Sequence, residues 1–527
     1  MEHSPRNARY LSSGIQNELI QVCGETIRES IIHDCRLSQF FSVLADETTN
    51  VSTTEQLSIC VRFVETTGSQ IKLREEFLGF VAVTSTTGES IAEVILSTLE
   101  KWGLDVNLLR GQGYDGASNM SGKFRGVQAI VKSRVPSAVY LHCRAHSLNL
   151  AVVHSCDNSH VRNMFGTVQK VAVFFGESAK RYHVFKEIDK GSLTSVPGPA
   201  KLQKLCETRW SSRYDALHTI KLKWKTVLEA LSTIADDGES STHILLCSLR
   251  SFDFIVSLVI VEHFLSYTNS LSMALQKEGT NLLAALESAK ASLQCIQGDR
   301  NDACFSRLYG EIKILAQDAG ISEQIPRRAG RQTQRDNVQA STPEQYWQIT
   351  VYYAFIDHLQ DELKTRLLNH DLEDRLLVEK LLPQIVKGLA DNQLGELSSK
   401  LVETYGTDLP DSSHLLHEIK RWKSTCIPTP HQTVDEAFLS ANEQFYPNVH
   451  TLLKLLLVLP ISTATAERTF SSLRILKTWL RSTMGEERLS GLALMYIHRN
   501  ITLNNEHIIK TWYNVSNRRI QLSFESD

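Results

Sequence analysis

The chain has 527 residues, of which 42% are hydrophobic and 22% charged, and its formal charge is −3. These values exclude a disordered chain and a general polycation, so nucleic-acid binding would have to come from local basic patches. The ten cysteines include no CxxC pair, which argues against a disulfide framework and for reduced, intracellular thiols.

The opening MEHSPRNARYLSSGIQ has no apolar signal core, and LLKLLLVLP (452–460) is too short to span a bilayer, so no membrane association is expected. Residues 12–35 read as a helix. FSVLADETTN (41–50) follows as a strand that stops on two adjacent carboxylates, Asp46 and Glu47. QLSICVRFVE (56–65) alternates, with Leu57, Ile59, Val61 and Phe63 on one face, and IKLREEFLGFVAV (71–83) returns after the turn TTGS. The expectation is a three-stranded antiparallel meander.

The period then changes. Ile91, Val94, Ile95, Leu99 and Trp102 mark an amphipathic helix closed by Gly103. LLRGQGYDG (108–116) predicts a short strand and a glycine-rich bend, 120–133 a helix, and AVYLHC (138–143) a fifth strand leading into another helix. This order predicts a mixed α/β layer. From about residue 160 the strand signal vanishes, and long helices are expected at 222–234, 244–275, 280–296 and 346–369. A loop at 325–345 carries Arg327, Arg328, Arg331 and Arg335.

Asp46 and Asp115 each end a strand, where ligands gather in open α/β sheets, and Gly111, Gly113 and Gly116 let backbone crowd the place. Paired carboxylates repel unless a cation sits between them, and two divalent ions about 4 Å apart could act on a phosphodiester. A third carboxylate would complete such a site. Taken singly, Asp46 and Asp115 also read as turn residues, and Glu467 as a helix-dipole partner.

The stretches FSVLADETTN, GQGYDGASNMSGKFRGVQAIV, LHCRAHSLNLAV, CETRWSSRYDAL and LPISTATAERTFSSLRILKTWLRSTMGEERLSGLALMYIHRN resemble, in order, motifs of hAT-superfamily transposases. They are similar in particular to domesticated members of the DUF4371, zinc finger MYM-type 1-like kind. The resemblance implies an RNase H-like mixed sheet core interrupted by a large all-α insertion, with an Asp-Asp-Glu triad at Asp46, Asp115 and Glu467 that would bind Mg2+ or Mn2+. Glu47 is then a turn residue. It also implies a structural role for Cys143 and His146 beside the site. Base-stacking or DNA contact is implied for Arg209 and Trp210, with phosphate contacts for the arginines of 327–335.

The expected layout is a helical lead-in at 1–29, core at 30–205, helical insertion at 206–445, core completion and dimerisation region at 446–510, and a tail at 511–527. The resemblance implies a zinc-binding DNA reader ahead of the core, but the sequence holds no CxxC or paired-His motif for one, so either a truncated copy or a domesticated derivative is expected. Two functions stay open: a transposase-derived, nuclear or cytoplasmic, DNA-associated protein whose activity is self-association, and an active metal-dependent DNA transposase or nuclease. The apolar run from Leu452 to Leu459 needs cover on every side, and a second copy of the chain is the expected cover.

Overall fold

The computed structural model describes residues 12–49, 52–68, 70–191, 202–205, 211–326, 340–368, 376–427 and 433–514. The chain divides into two compact units, one of residues 1–146, 275–285 and 371–527, the other of 147–274 and 286–370.

The first unit is built on a mixed sheet. Its strands are β1 (Phe41–Thr49), β2 (Glu55–Thr67), β3 (Gln70–Val83), β4 (Leu109–Tyr114) and β5 (Val139–His142). They lie in the order β3-β2-β1-β4-β5. The first three form the antiparallel meander that alternation and the turn at 66–69 predict, while β1–β4 and β4–β5 are parallel. Parallel neighbours need a crossover, and the helices Gly88–Lys101 and Val127–Arg134 supply them. Gly103, at φ +88°, ends the first crossover as expected.

One expectation needs correction. Residues 120–133 are not a single helix: a turn of helix at Ser118–Ser121 and the helix Val127–Arg134 flank a loop. There the backbone folds back so tightly that a Cβ on Gly126 would meet Gly122 N at 2.4 Å.

The later part of this unit returns to the sheet. The helix Pro447–Val458 packs on β2, and the helix Ala464–Leu476 packs on β1, β2 and β3. Arg62 of β2 is buried at 1% exposure and holds this return in place. Its guanidinium donates to Leu457 O at 3.2 and 3.1 Å, to Thr280 O at 2.8 Å and to Glu75 Oε1 at 2.6 Å. The other Glu75 oxygen accepts from Thr465 Oγ1 at 2.5 Å. The helix Ser13–Ser38 closes on the helix Glu486–Ile497, where a Cβ on Gly24 would stand 2.8 Å from Gly491 Cα.

The cover expected for the run 452–459 is also corrected. Leu452, Leu453, Leu455, Leu456, Leu457, Val458 and Leu459 are all buried within one chain. Besides β2, the helices Leu415–Thr425 and Val434–Ser440 and the turn Leu376–Leu381 lie against their helix.

Among its described residues the second unit is all helical. The segment expected as one helix at 244–275 is two, Ser241–Leu249 and Phe252–Gln276, broken at Arg250. Phe252–Gln276 is long and apolar enough to cross a membrane, but most of its apolar window is buried in protein, as in a core helix.

Candidate active site

β1 and β4 run parallel in a register that pairs Leu44 with Gly113. Asp46 stands two residues further along β1, and Asp115 stands one residue beyond the end of β4, so the neighbouring strands bring both acids to the same end of the sheet. Their placement follows from β4 being shorter. β4 turns away after Tyr114, whereas β1 continues to Thr49 against β2, with Asp46 opposite Ser58. Glu47 is therefore a strand residue paired with Leu57, not the turn residue expected from sequence, because β2 extends β1 beyond its carboxylates. Its side chain takes the opposite face, where Asn119 Nδ2 donates to Glu47 Oε1 at 2.7 Å. The other oxygen is buried without a hydrogen-bond partner.

Glu467 arrives from far along the chain. The link between the helices Pro447–Val458 and Ala464–Leu476 lies on β4, and glycine is required there. A Cβ on Gly111 would stand 2.7 Å from Pro460 Cδ, and one on Gly113 3.0 Å from Pro460 Cβ. Arg144 N then donates to Ile461 O at 2.8 Å, and Thr463 N donates to Cys143 Sγ at 3.2 Å. Those bonds fix the start of the helix, and Glu467 sits in its first turn, accepting from Thr463 Oγ1 at 3.2 Å.

The three acids share one electrostatic environment. Asp46 has its carboxyl pushed well above the usual range by burial, then by Glu467, then by Asp115. Glu467 is raised by burial and by Asp115, against the Thr463 hydroxyl and His146, which pull it down. Solvent reaches Glu467, while Asp46 and Asp115 are half-buried. Asp115 accepts from Ala117 N at 3.1 Å, which orients its carboxylate. Two clefts of about 940 and 970 Å3 in this unit are lined by none of the three acids.

Cys143 is buried and accepts N–H bonds from Thr463 and His146 through its sulfur. Burial and then Glu467 push its thiol up to about 12, so it is a neutral acceptor here and not a thiolate. The His146 ring lies against His142, with centroids 5.9 Å apart. A Cβ on Gly116, next to Asp115, would meet the His142 ring at 2.8 Å. His142, Asn119 and the strand role of Glu47 were missed from sequence. Their signals are short: a His ending β5, and an Asn four residues after Asp115. Arg209, Trp210, Arg327, Arg328, Arg331 and Arg335 lie outside the described residues.

An all-oxygen set of three carboxylates, in which Asp46 and Glu467 are pushed to hold protons more tightly, suits a hard divalent cation. The Glu47 oxygen without a partner adds to the uncompensated negative charge.

Comparison with known proteins agrees at both ends of the chain. Residues 1–126 match the ZMYM1/FAM200 RNase-like domain, DUF4371, and residues 431–501 match the hAT family C-terminal dimerisation region. Over these two regions the chain is similar to hAT-transposase-derived proteins. It is 27% identical over 540 residues to the Homo sapiens "52 kDa repressor of the inhibitor of the protein kinase", covering 98% of this chain and 69% of that protein. The Mus musculus protein of the same name is 28% identical over 541 residues, with the same coverage.

Proposed function

We propose that this is a transposase-derived protein with an RNase H-like core and an all-α insertion, which works as a homo-oligomer formed through its C-terminal region. The supporting observation is an exposed apolar group inside the matched dimerisation region. Ile475, Trp479 and Leu480 are 57%, 81% and 98% exposed, although neighbouring apolar residues are buried. Large apolar side chains grouped at a surface mark association sites. Light scattering of the full chain at micromolar concentration tests the reading: a dimer or larger mass supports it and a monomer mass refutes it. The mammalian relatives are named as repressors of an inhibitor of a protein kinase. A nuclear, protein-binding role of that general kind is the form this reading takes, with DNA as a second partner.

A second reading is favoured by one observation, the meeting of Asp46, Asp115 and Glu467 in an electrostatically coupled group. In it the protein is a metal-dependent DNA-cleaving and strand-transfer enzyme. Asp46, Asp115 and Glu467 would hold Mg2+ or Mn2+. Bound there, such ions would supply Lewis-acid stabilisation of a phosphodiester and activation of the attacking oxygen. The protein's own part is positional: the β1–β4 register presents two carboxylates, the Cys143–Thr463 bond sets the third, and His146 beside Glu467 limits its protonation. Incubating the full chain with nicked and hairpin DNA and either metal tests this. Nicking lost in Asp46→Asn and Asp115→Asn supports catalysis, and no nicking by the wild type refutes it.

A further inference from the structure

A second group of ligand-type side chains lies in the all-helical unit, and neither proposed function uses it. His263 is on the helix Phe252–Gln276, Asp299 follows the helix Leu282–Gly298, and Cys304 is in the first turn of the helix Asp302–Asp318. One donor atom from each lies within 4.8 Å of the others. His263 Nε2 is 2.7 Å from Asp299 Oδ2 and 3.8 Å from Cys304 Sγ. Cys304 is buried, and the other two are half-buried.

The support around the group is built as metal sites usually are. Tyr267 OH donates to Asp299 Oδ2 at 2.7 Å, fixing the carboxylate from outside. Tyr352 OH donates to the backbone carbonyls of Asp299 and Asn301, and Asn301 Oδ1 accepts from Cys304 N at 2.8 Å. The turn that carries two of the three donors is therefore held on both sides. Arg307 Nη2 donates to Cys304 Sγ at 3.5 Å.

We infer that His263, Asp299 and Cys304 bind one borderline-soft divalent ion of the Zn2+ class. The donor set decides the ion: nitrogen, sulfur and one carboxylate oxygen suit zinc, whereas magnesium prefers oxygen alone. The spacing agrees. With bonds of about 2.1 Å to nitrogen and 2.3 Å to sulfur, a tetrahedral ion holds these two donors about 3.6 Å apart. The His263–Asp299 pair must open by roughly 0.6 Å, so the ion replaces the hydrogen bond between them. Three protein ligands leave the fourth position for water or an incoming group.

The bland alternative is a metal-free hydrogen-bonded knot of His263, Asp299 and Tyr267. Titrating the chelator-treated full chain with Co2+ separates the two, because only a thiolate ligand gives an intense near-ultraviolet charge-transfer band. The expected result is one Co2+ per chain with that band, displaced by Zn2+. Cys304→Ser should abolish the band. His263→Gln, which leaves the thiol in place, should weaken the binding that produces the band at least tenfold. Circular dichroism of each variant confirms that it is folded. No band in the wild type, or a band kept at full affinity in His263→Gln, overturns the assignment.

Discussion

Arg62→Ala is the substitution that most directly tests how the late part of the chain is held to the sheet. The guanidinium is almost fully buried and makes contacts to Leu457 O, Thr280 O and Glu75. Hydrogen bonds from a charged donor are worth about 1.5–3 kcal/mol each, but their plain sum overshoots, since water enters the vacated space and serves the carbonyls. What remains is a Glu75 carboxylate, 8% exposed, that has lost its counter-charge and keeps only the Thr465 hydroxyl. Breaking one side of such a pair costs about 3–5 kcal/mol. The assay is urea unfolding of the full chain, with hydrogen exchange read at β1 and β2 amides. The double variant Arg62→Met with Glu75→Leu should recover most of the loss, because it removes both charges. A loss below about 1 kcal/mol for Arg62→Ala would refute the reasoning, since a buried ion pair broken on one side cannot be that cheap. A double variant as unstable as the single would refute it too.

Three further outcomes are expected. Because the Asp46 carboxyl is raised in the folded protein, its contribution is fully present below the unfolded value of about 4 and is lost as pH rises through the raised folded value. In metal-free buffer Asp46→Asn should therefore be more stable than wild type at neutral pH, and Mg2+ should raise the melting temperature of the wild type alone; equal pH profiles would contradict this. Replacing Trp479 and Leu480 together with Ser should shift the full chain toward monomer mass in light scattering while leaving the melting temperature nearly unchanged, since both side chains are exposed; an unchanged mass removes them from the interface. Gly24→Ala should cost about 1–3 kcal/mol through overpacking against the Gly491 backbone, and an unaltered unfolding midpoint would show that the two helices separate freely.

Much of the sheet was legible because its signals are local. Leu57, Ile59, Val61 and Phe63 are buried as their alternation predicts, although the residues between them are buried too because both faces of β2 are covered. The placing of Asp46 and Asp115 at one end of the sheet could be anticipated once β4 was placed beside β1. What could not be read is whatever depends on relative strand length and tertiary cover. Glu47 looks like a turn residue until β2 is seen to extend β1 past it. The Leu452–Leu459 run looks too apolar for one chain, because sequence does not show that the helices Leu415–Thr425 and Val434–Ser440 fold back over it. The break in the helix expected at 120–133 depends on the Gly122–Gly126 approach, which periodicity cannot register. His263, Asp299 and Cys304 fit no compact ligand motif, since three separate helical segments bring them together.

The bond from Thr463 to the Cys143 sulfur joins residues 320 positions apart. During synthesis at about 5–20 residues per second, the finished strands would wait about 15 to 60 s for that partner to emerge. Through that interval β4 presents Gly111 and Gly113 without Pro460, and Arg62 lacks the Leu457 carbonyl. The nascent sheet is thus an apolar, incompletely bonded surface. A message that stops before residue 447 would release it in that state permanently. Such shortened products should be chaperone-bound or degraded rather than accumulate as stable fragments, and the acidic group would exist only in chains translated past its last member.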